Sequence, residues 1–195
     1  MSLDDLIKNV VAEPPRTVMV ETKVLAPGRR EEANRRGGMV LSELLAGATR
    51  GEPRAVRYGH ILGPPASPAA LNAWSERLPH HTLPADLRAL VVRVNGIHLW
   101  ADLVEGRSYE GLAPLEEWEL ARVKMYGQTA DPRLLADRYL AISYHTDAAA
   151  YIVLNIDSGR YFLMDSCGPD EKCPIGATVD DLLDWVWRHR MDPDA

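Results

Sequence analysis

The sequence predicts an α+β fold: a mostly antiparallel sheet with helices packed against one side, closed by a C-terminal helix. Three observations predict it. Two helical patterns come first, Leu71, Trp74 and Leu78, then Leu87, Leu90, Val91 and Val94, each with apolar residues three or four apart. Strand-length apolar runs follow, two of them joined at Asp157-Ser158-Gly159. Last, "TVDDLLDWVWRHR" places Val179, Leu182, Leu183 and Val186 on one helical face.

Taken in order, Ser2 caps a short helix with Leu3, Leu6, Ile7 and Val10 on one face, ended before Pro14-Pro15. "TVMVETKVL" (Thr17–Leu25) reads as a strand, and "APGRREEANRRGG" (Ala26–Gly38) as a polar loop. Its arginines alternate with Glu31 and Glu32, the pattern of a solvated segment rather than a phosphate site. "MVLSELLAGATRG" reads as a helix with Gly51 near its end. "GPPASP" (Gly63–Pro68) excludes both helix and central strand and marks a boundary. It divides an N-terminal extension, residues 1–67, from a domain spanning 68–195.

Asn95-Gly96 has two local readings. Between Val-rich segments it is a hairpin turn, since both residues tolerate positive φ. Pro84 at a helix start, Asp86 in the first turn and the Leu87–Val94 period favour instead a helix that Gly96 stops. Farther on, "GLAPLEEWELARVKMYG" has Leu115, Trp118 and Arg122 at helical spacing. "LAISYHT" and "AYIVLNI" read as strands, and "RYFLMD" pairs with the second of them. In the closing helix Thr178 is the N-cap, Asp180 and Asp181 lie in the first turn, and Arg188 to Arg190 in the last.

Composition narrows the function classes. The chain has 195 residues, 46% hydrophobic and 26% charged, ordinary values for a globular protein. No signal-peptide pattern and no long apolar run occurs, so a cytoplasmic location is expected and no membrane partner. Residues 1–67 carry 10 basic and 8 acidic side chains, and everything after them sums to −8. An acidic body repels nucleic acid and attracts a basic partner.

The order of these segments resembles the SUKH superfamily, named in part after a fungal regulator of cell-wall assembly. The resemblance rests on Leu71–Leu78, "LPADLRALVVRVNG" (Leu83–Gly96), "YIVLNIDSGRYFLMD" (Tyr151–Asp165) and "TVDDLLDWVWRH" (Thr178–His189), and covers residues 68–190. It implies that Leu83–Gly96 is a helix with Asn95-Gly96 as its stop. It also implies a non-catalytic immunity protein that neutralises a bacterial toxin, of nuclease or deaminase type, by direct binding. An intracellular regulatory scaffold is the alternative within the family. Residues 1–67 have no counterpart in the compact family form, and Ile97-His98 replaces the small residue that often follows Asn-Gly.

The remaining chemistry is sparse. Cys167 and Cys173 are separated by five residues and lack a second pair, so thiols are expected and no metal site. His80-His81 is a poor metal pair. Ser166 or Cys167 beside Asp165 has no Gly-x-Ser-x-Gly elbow and no histidine placed by sequence as base, which leaves an unrecognised enzyme as the last alternative. No phosphate or dinucleotide loop occurs and no cofactor is expected. Trp185 and Trp187 cannot share a helix face, so one is assigned to the core and the other to the rim. The candidate partner contacts are Trp100, Asp102, Glu105 and Glu110 in a loop after Asn-Gly, with Asp165, Asp170 and Glu171 beyond the hairpin.

Overall fold

The computed structural model describes residues 1–36, 41–104, 111–127, 131, 133, 135–144, 150–165 and 168–190. The chain divides into two compact units. One comprises Met1–Pro15 with Tyr58–Ala195, the other Arg16–Arg57. The unit boundaries lie after Pro15 and after Arg57, and Gly63–Pro68 lies within the larger unit. That Pro-rich stretch is itself tied into the larger unit: Gly63 N donates to Gly96 O at 2.8 Å, Asn95 N to Pro64 O at 3.2 Å and Ala66 N to Val91 O at 2.8 Å.

The larger unit begins with α1 (Leu3–Ala12), started by a capping box between Ser2 and Asp5. The smaller unit follows: β1 (Arg16–Val20), β2 (Lys23–Val24), α2 (Arg29–Arg35), α3 (Leu41–Leu44) and β3 (Thr49–Arg50). Residues 23–24 pair antiparallel with 49–50. The polar segment expected as a loop contains α2, which buries no residue and is supported by Arg29–Glu32 and Arg36–Glu32 pairs. Of the expected helix around Leu41 the described residues show Leu41–Leu44, and its first two expected residues, 39 and 40, lie outside the described set. The single expected strand is two, β1 and β2.

β4 (Arg54–Leu62) leads back into the larger unit, where α4 (Pro68–Arg77) is capped by Ser67 and α5 (Ala85–Val91) follows. Pro84 keeps an extended backbone, so α5 starts one residue later than a first-turn proline would place it. Helical bonding continues through Val94 N to Leu90 O at 2.8 Å. The chain then leaves the helix as Asn95 N turns to Pro64, and Gly96 takes φ +105°. Asn95-Gly96 thus ends a helical stretch and leads into β5 (Ile97–Asp102), which pairs with β4 and with β6 (Gly111–Leu112), not with Val91–Val94.

The expected helix from Gly111 to Gly127 is broken into β6, a 3-10 turn at Leu115–Glu117, β7 (Glu119–Leu120) and α6 (Ala121–Tyr126). Residues three apart eclipse in a 3-10 turn, so Leu115 and Trp118 share a face without an α-helix. Trp118 Nε1 donates to Ala113 O at 2.7 Å, which fixes the break. A five-stranded antiparallel sheet follows, ordered β11–β10–β9–β8–β7, with β8 (Tyr139–Ala141), β9 (Tyr151–Asn155), β10 (Arg160–Asp165) and β11 (Gly168–Pro169). In the β9–β10 hairpin Arg160 faces Asn155 and Met164 faces Tyr151. A bridge between Leu112 and Ser143 connects β6 to the segment following β8.

Strand alternation builds two cores. Leu140, Ile152, Leu154 and Tyr161 face a main core with Leu6, Trp74, Leu87, Leu90 and the apolar stripe of α7 (Val179–Arg188). Tyr139, Ala141, Val153, Phe162 and Met164 form a second core with Ala121 of α6. Helices therefore cover both faces of this sheet, not one. Thr178 and Asp181 form a capping box, and Val179, Leu182, Leu183 and Val186 are buried. Trp185 and Trp187 are each partly buried against the main core. Among the described residues no helix is long and apolar enough to cross a membrane.

Candidate functional site

The seven candidate contact residues do not form one surface. Glu105 and Glu110 lie outside the described residues. Trp100 and Asp102 are not on an exposed loop but in β5, and both are buried. Asp102 Oδ1 accepts from Val104 N at 2.9 Å, so this carboxylate serves the end of its own strand. Asp165, Asp170 and Glu171 do come together, exposed around the β10–β11 end of the sheet. Asp165 pairs through its backbone with Gly168, and Asp170 N donates to Leu163 O at 2.9 Å. Glu171 is engaged: it accepts from the Tyr139 hydroxyl and from Arg138 Nη2, the latter at 3.4 Å. Burial, then the Glu171 carboxylate, pushes the Tyr139 phenol above its ordinary range.

Trp100 belongs to a cluster with no sequence signature. Between Gly59↔Ala101 and Ile61↔His98 the register shifts by one, leaving Leu99 and Trp100 opposite His60. Trp100 is the non-glycine residue with positive φ, +49°, among the described residues. Such a backbone normally costs about 1–3 kcal/mol and persists only where its surroundings hold it. Here Trp100 N donates to His60 Nδ1 at 3.1 Å, and the two rings lie 4.4 Å apart, tilted by 50°. On the other side of the imidazole, Nε2 lies 2.9 Å from Glu13 Oε2. With Nδ1 accepting, Nε2 carries the proton and donates to the carboxylate.

Glu13 is the C-cap residue of α1, and Arg190 follows α7. Arg190 Nη2 reaches Glu13 Oε2 at 3.3 Å, while its guanidinium lies 3.7 Å from the Trp187 ring centroid. The Trp187 ring in turn sits 5.6 Å from His60. Burial pushes the Glu13 carboxyl up, but the bonds from His60 and Arg190 outweigh it and hold the group below its ordinary value. The cluster thus joins the ends of two helices to the bulge of β4–β5. Both imidazole nitrogens are engaged, so His60 has the geometry of a structural pin and not of a general base.

A second group surrounds His98, which is half-buried in β5. Burial holds its imidazole below the ordinary histidine value, with Glu117 opposing. Its ring lies 5.2 Å from that of Tyr144, whose phenol is pushed up to about 12 by burial and by Glu117. At neutral pH the histidine is therefore neutral and the tyrosine protonated. Among the described residues no three His, Cys, Asp or Glu side chains gather to hold a metal ion. Cys173 is an exposed thiol; Ser166, Cys167 and His145 lie outside the described residues.

No protein-family model matches the chain, and no curated protein matches it. The structure defines the class, an α+β protein whose larger unit has both sheet faces covered.

Proposed function

We propose that this protein acts by binding another protein, one with a basic surface, and that the partner is a bacterial toxin domain of nuclease or deaminase type met in the cytoplasm. One observation carries the reading. The larger unit holds 23 acidic against 13 basic side chains, a net charge of −10, whereas Arg16–Arg57 holds 5 against 9, a net charge of +4. A domain that acts on nucleic acid is basic along its substrate groove, because it must meet phosphates. An acidic protein surface competes for that groove and speeds the encounter by charge steering. The exposed Asp165 and Asp170, at the β10–β11 end, are the described contact residues best placed for it. The SUKH-like order of segments supplies the toxin class, and a regulatory scaffold is the reading it leaves if no toxin is involved.

The test is co-expression with a toxic domain encoded beside this gene, scored as cell survival and as a purified complex. Survival with complex formation is expected. Death despite equal expression removes the immunity reading, and capture of only acidic partners or nucleic acid removes the charge argument as well.

A further inference from the structure

We propose that this protein forms a reciprocal dimer, in which a groove between α1, α5 and α7 of each copy receives the Met19–Val24 segment of the other. The groove has a volume of about 300 Å³, and Leu3, Leu90 and Val179 give it an apolar lining. Asp4, Asp86 and Asp180 line it as well, against one basic side chain, Arg93. Arg93 is already paired with Asp4 at 2.6 Å. Even with the Met1 nitrogen, which donates to Asp180 O at 3.1 Å, the carboxylates outnumber the cations. Asp86 accepts from Leu87 N and Val179 N, whereas the Asp180 carboxylate makes no hydrogen bond or ion pair among the described residues. An apolar groove with an acidic border suits an occupant that combines exposed hydrocarbon with positive charge.

The smaller unit has both and lacks an interior. Among the described residues of Arg16–Arg57, Val56 alone is buried. Its β2–β3 ladder is two residues long, and so short a pair of strands is not stable in water without further cover. Met19 and Val24 stay 63% and 56% exposed. Between them lies Lys23, which makes no ion pair among the described residues; neither do Arg30 and Arg35 of α2. Glu21, the acidic residue of the segment, is held by Arg50.

Charge complementarity selects a second copy as the occupant. With +4 on the smaller unit and −10 on the larger, every chain carries both halves of the contact. A two-fold axis then makes the contact twice and closes the assembly at two chains. Asp165 and Asp170 take no part, so self-association stands or falls without the toxin.

The test is sedimentation velocity of the full chain over a concentration series. A monomer–dimer equilibrium is expected, shifted toward monomer in about 1 M salt, where the screening length is about 3 Å. One variant carries Lys23→Glu, Arg30→Glu and Arg35→Glu, the other Asp4→Lys and Asp180→Lys. Each should self-associate about tenfold more weakly or worse, since like charges then meet across the interface. Mixed in equal amounts the two should dimerise again, because both contacts regain opposite signs. Circular dichroism matching the parent chain admits a variant to the comparison. Met19→Thr, a strand-compatible change that leaves the charges alone, should weaken the dimer at low and high salt alike. A parent chain that stays monomeric at every concentration overturns the proposal, as does a dimer that both sets of reversals leave intact. So does a mixture of folded variants that associates no better than its components. Retention of a labelled single-stranded oligonucleotide by a monomer, lost with the Lys23, Arg30 and Arg35 reversals, would assign the basic unit to nucleic acid and overturn it too.

Discussion

The backbone N–H of Trp100 donates to Nδ1 of His60 at 3.1 Å, from the one residue that the β4–β5 ladder leaves over. A side chain therefore takes the place of a strand partner, and the proton on the far nitrogen is directed to Glu13. His60→Phe keeps a ring but removes both contacts, and should cost about 2–4 kcal/mol, the sum of two buried hydrogen bonds with one charged partner. His60→Asn can still offer an acceptor near the Nδ1 position and should cost less. Urea denaturation of the two variants measures the order; equal losses would show that the Trp100 contact contributes little.

Acid should destabilise the fold in two windows. The Glu13 carboxyl is held below its ordinary value, so its stabilisation is complete above about 4.5 and is lost as pH falls through the folded value. His98 is held below the ordinary histidine value, so the unfolded chain takes up its proton first and stability falls as pH drops below about 6.5. Denaturation from pH 3 to 8 should show both slopes. Glu13→Gln should reduce the lower slope, to which Asp137 and Asp181, also held below the ordinary carboxylate value, contribute, and His98→Phe should flatten the upper; an unchanged slope in the matching variant assigns it elsewhere.

Leu183 of α7 is fully buried in the main core, which also holds Ile152, Leu154 and Tyr161 of the β9–β10 hairpin. Leu183→Ala should cost about 2–5 kcal/mol through lost burial and a residual cavity. A change within about 0.5 kcal/mol, the usual surface value, would place this face in solvent.

Asn95 joins the end of α5 to the 3-10 turn: Oδ1 accepts from Leu115 N at 2.7 Å, and Nδ2 donates to Glu116 Oε2 at 2.9 Å. Asn95→Ala strands the Leu115 amide and should cost about 1–3 kcal/mol. Gly63→Ala should do more harm, because a Cβ there would lie 2.1 Å from Asn95 O, a backbone atom. Thermal melts of the two variants give the comparison, and a milder Gly63→Ala would mean that the backbone can move aside.

Partner association should slow as salt rises, since exposed charges are screened beyond about 8 Å at physiological ionic strength. Asp165→Lys with Asp170→Lys should slow it further. Asp102 and Glu171 are poor positions for such a reversal, one being buried and the other bound by Tyr139 and Arg138. Stopped-flow association rates that are indifferent to both salt and reversal would remove steering from the account.

The legible parts of the fold are those whose signals are local. Ser2 with Asp5 and Thr178 with Asp181 announce their helices, and Gly159, with φ +67°, turns the β9–β10 hairpin. α2 was hidden because it buries nothing and so shows no apolar period. Leu115 and Trp118 misled because three-residue spacing serves a 3-10 turn as well as an α-helix. The His60 cluster gave no sign at all: Glu13 and Arg190 are 177 residues apart, and an isolated histidine in a strand carries no pattern. The sequence places Trp100 in the loop after Asn95-Gly96, because a one-residue bulge in a strand is invisible in side-chain alternation.

The larger unit is built from two stretches of chain, and that has a consequence during synthesis. Leu6, fully buried, and the rest of α1 leave the ribosome long before α7, the helix they pack against, and the nitrogen of Met1 finds its acceptor 179 residues later at Asp180 O. Until then α1 must wait with its apolar face uncovered, which makes it a natural handhold for a chaperone on the nascent chain. Arg16–Arg57 is one continuous stretch and can begin to collapse in the meantime. Completion of the larger unit therefore waits for the arrival of α7.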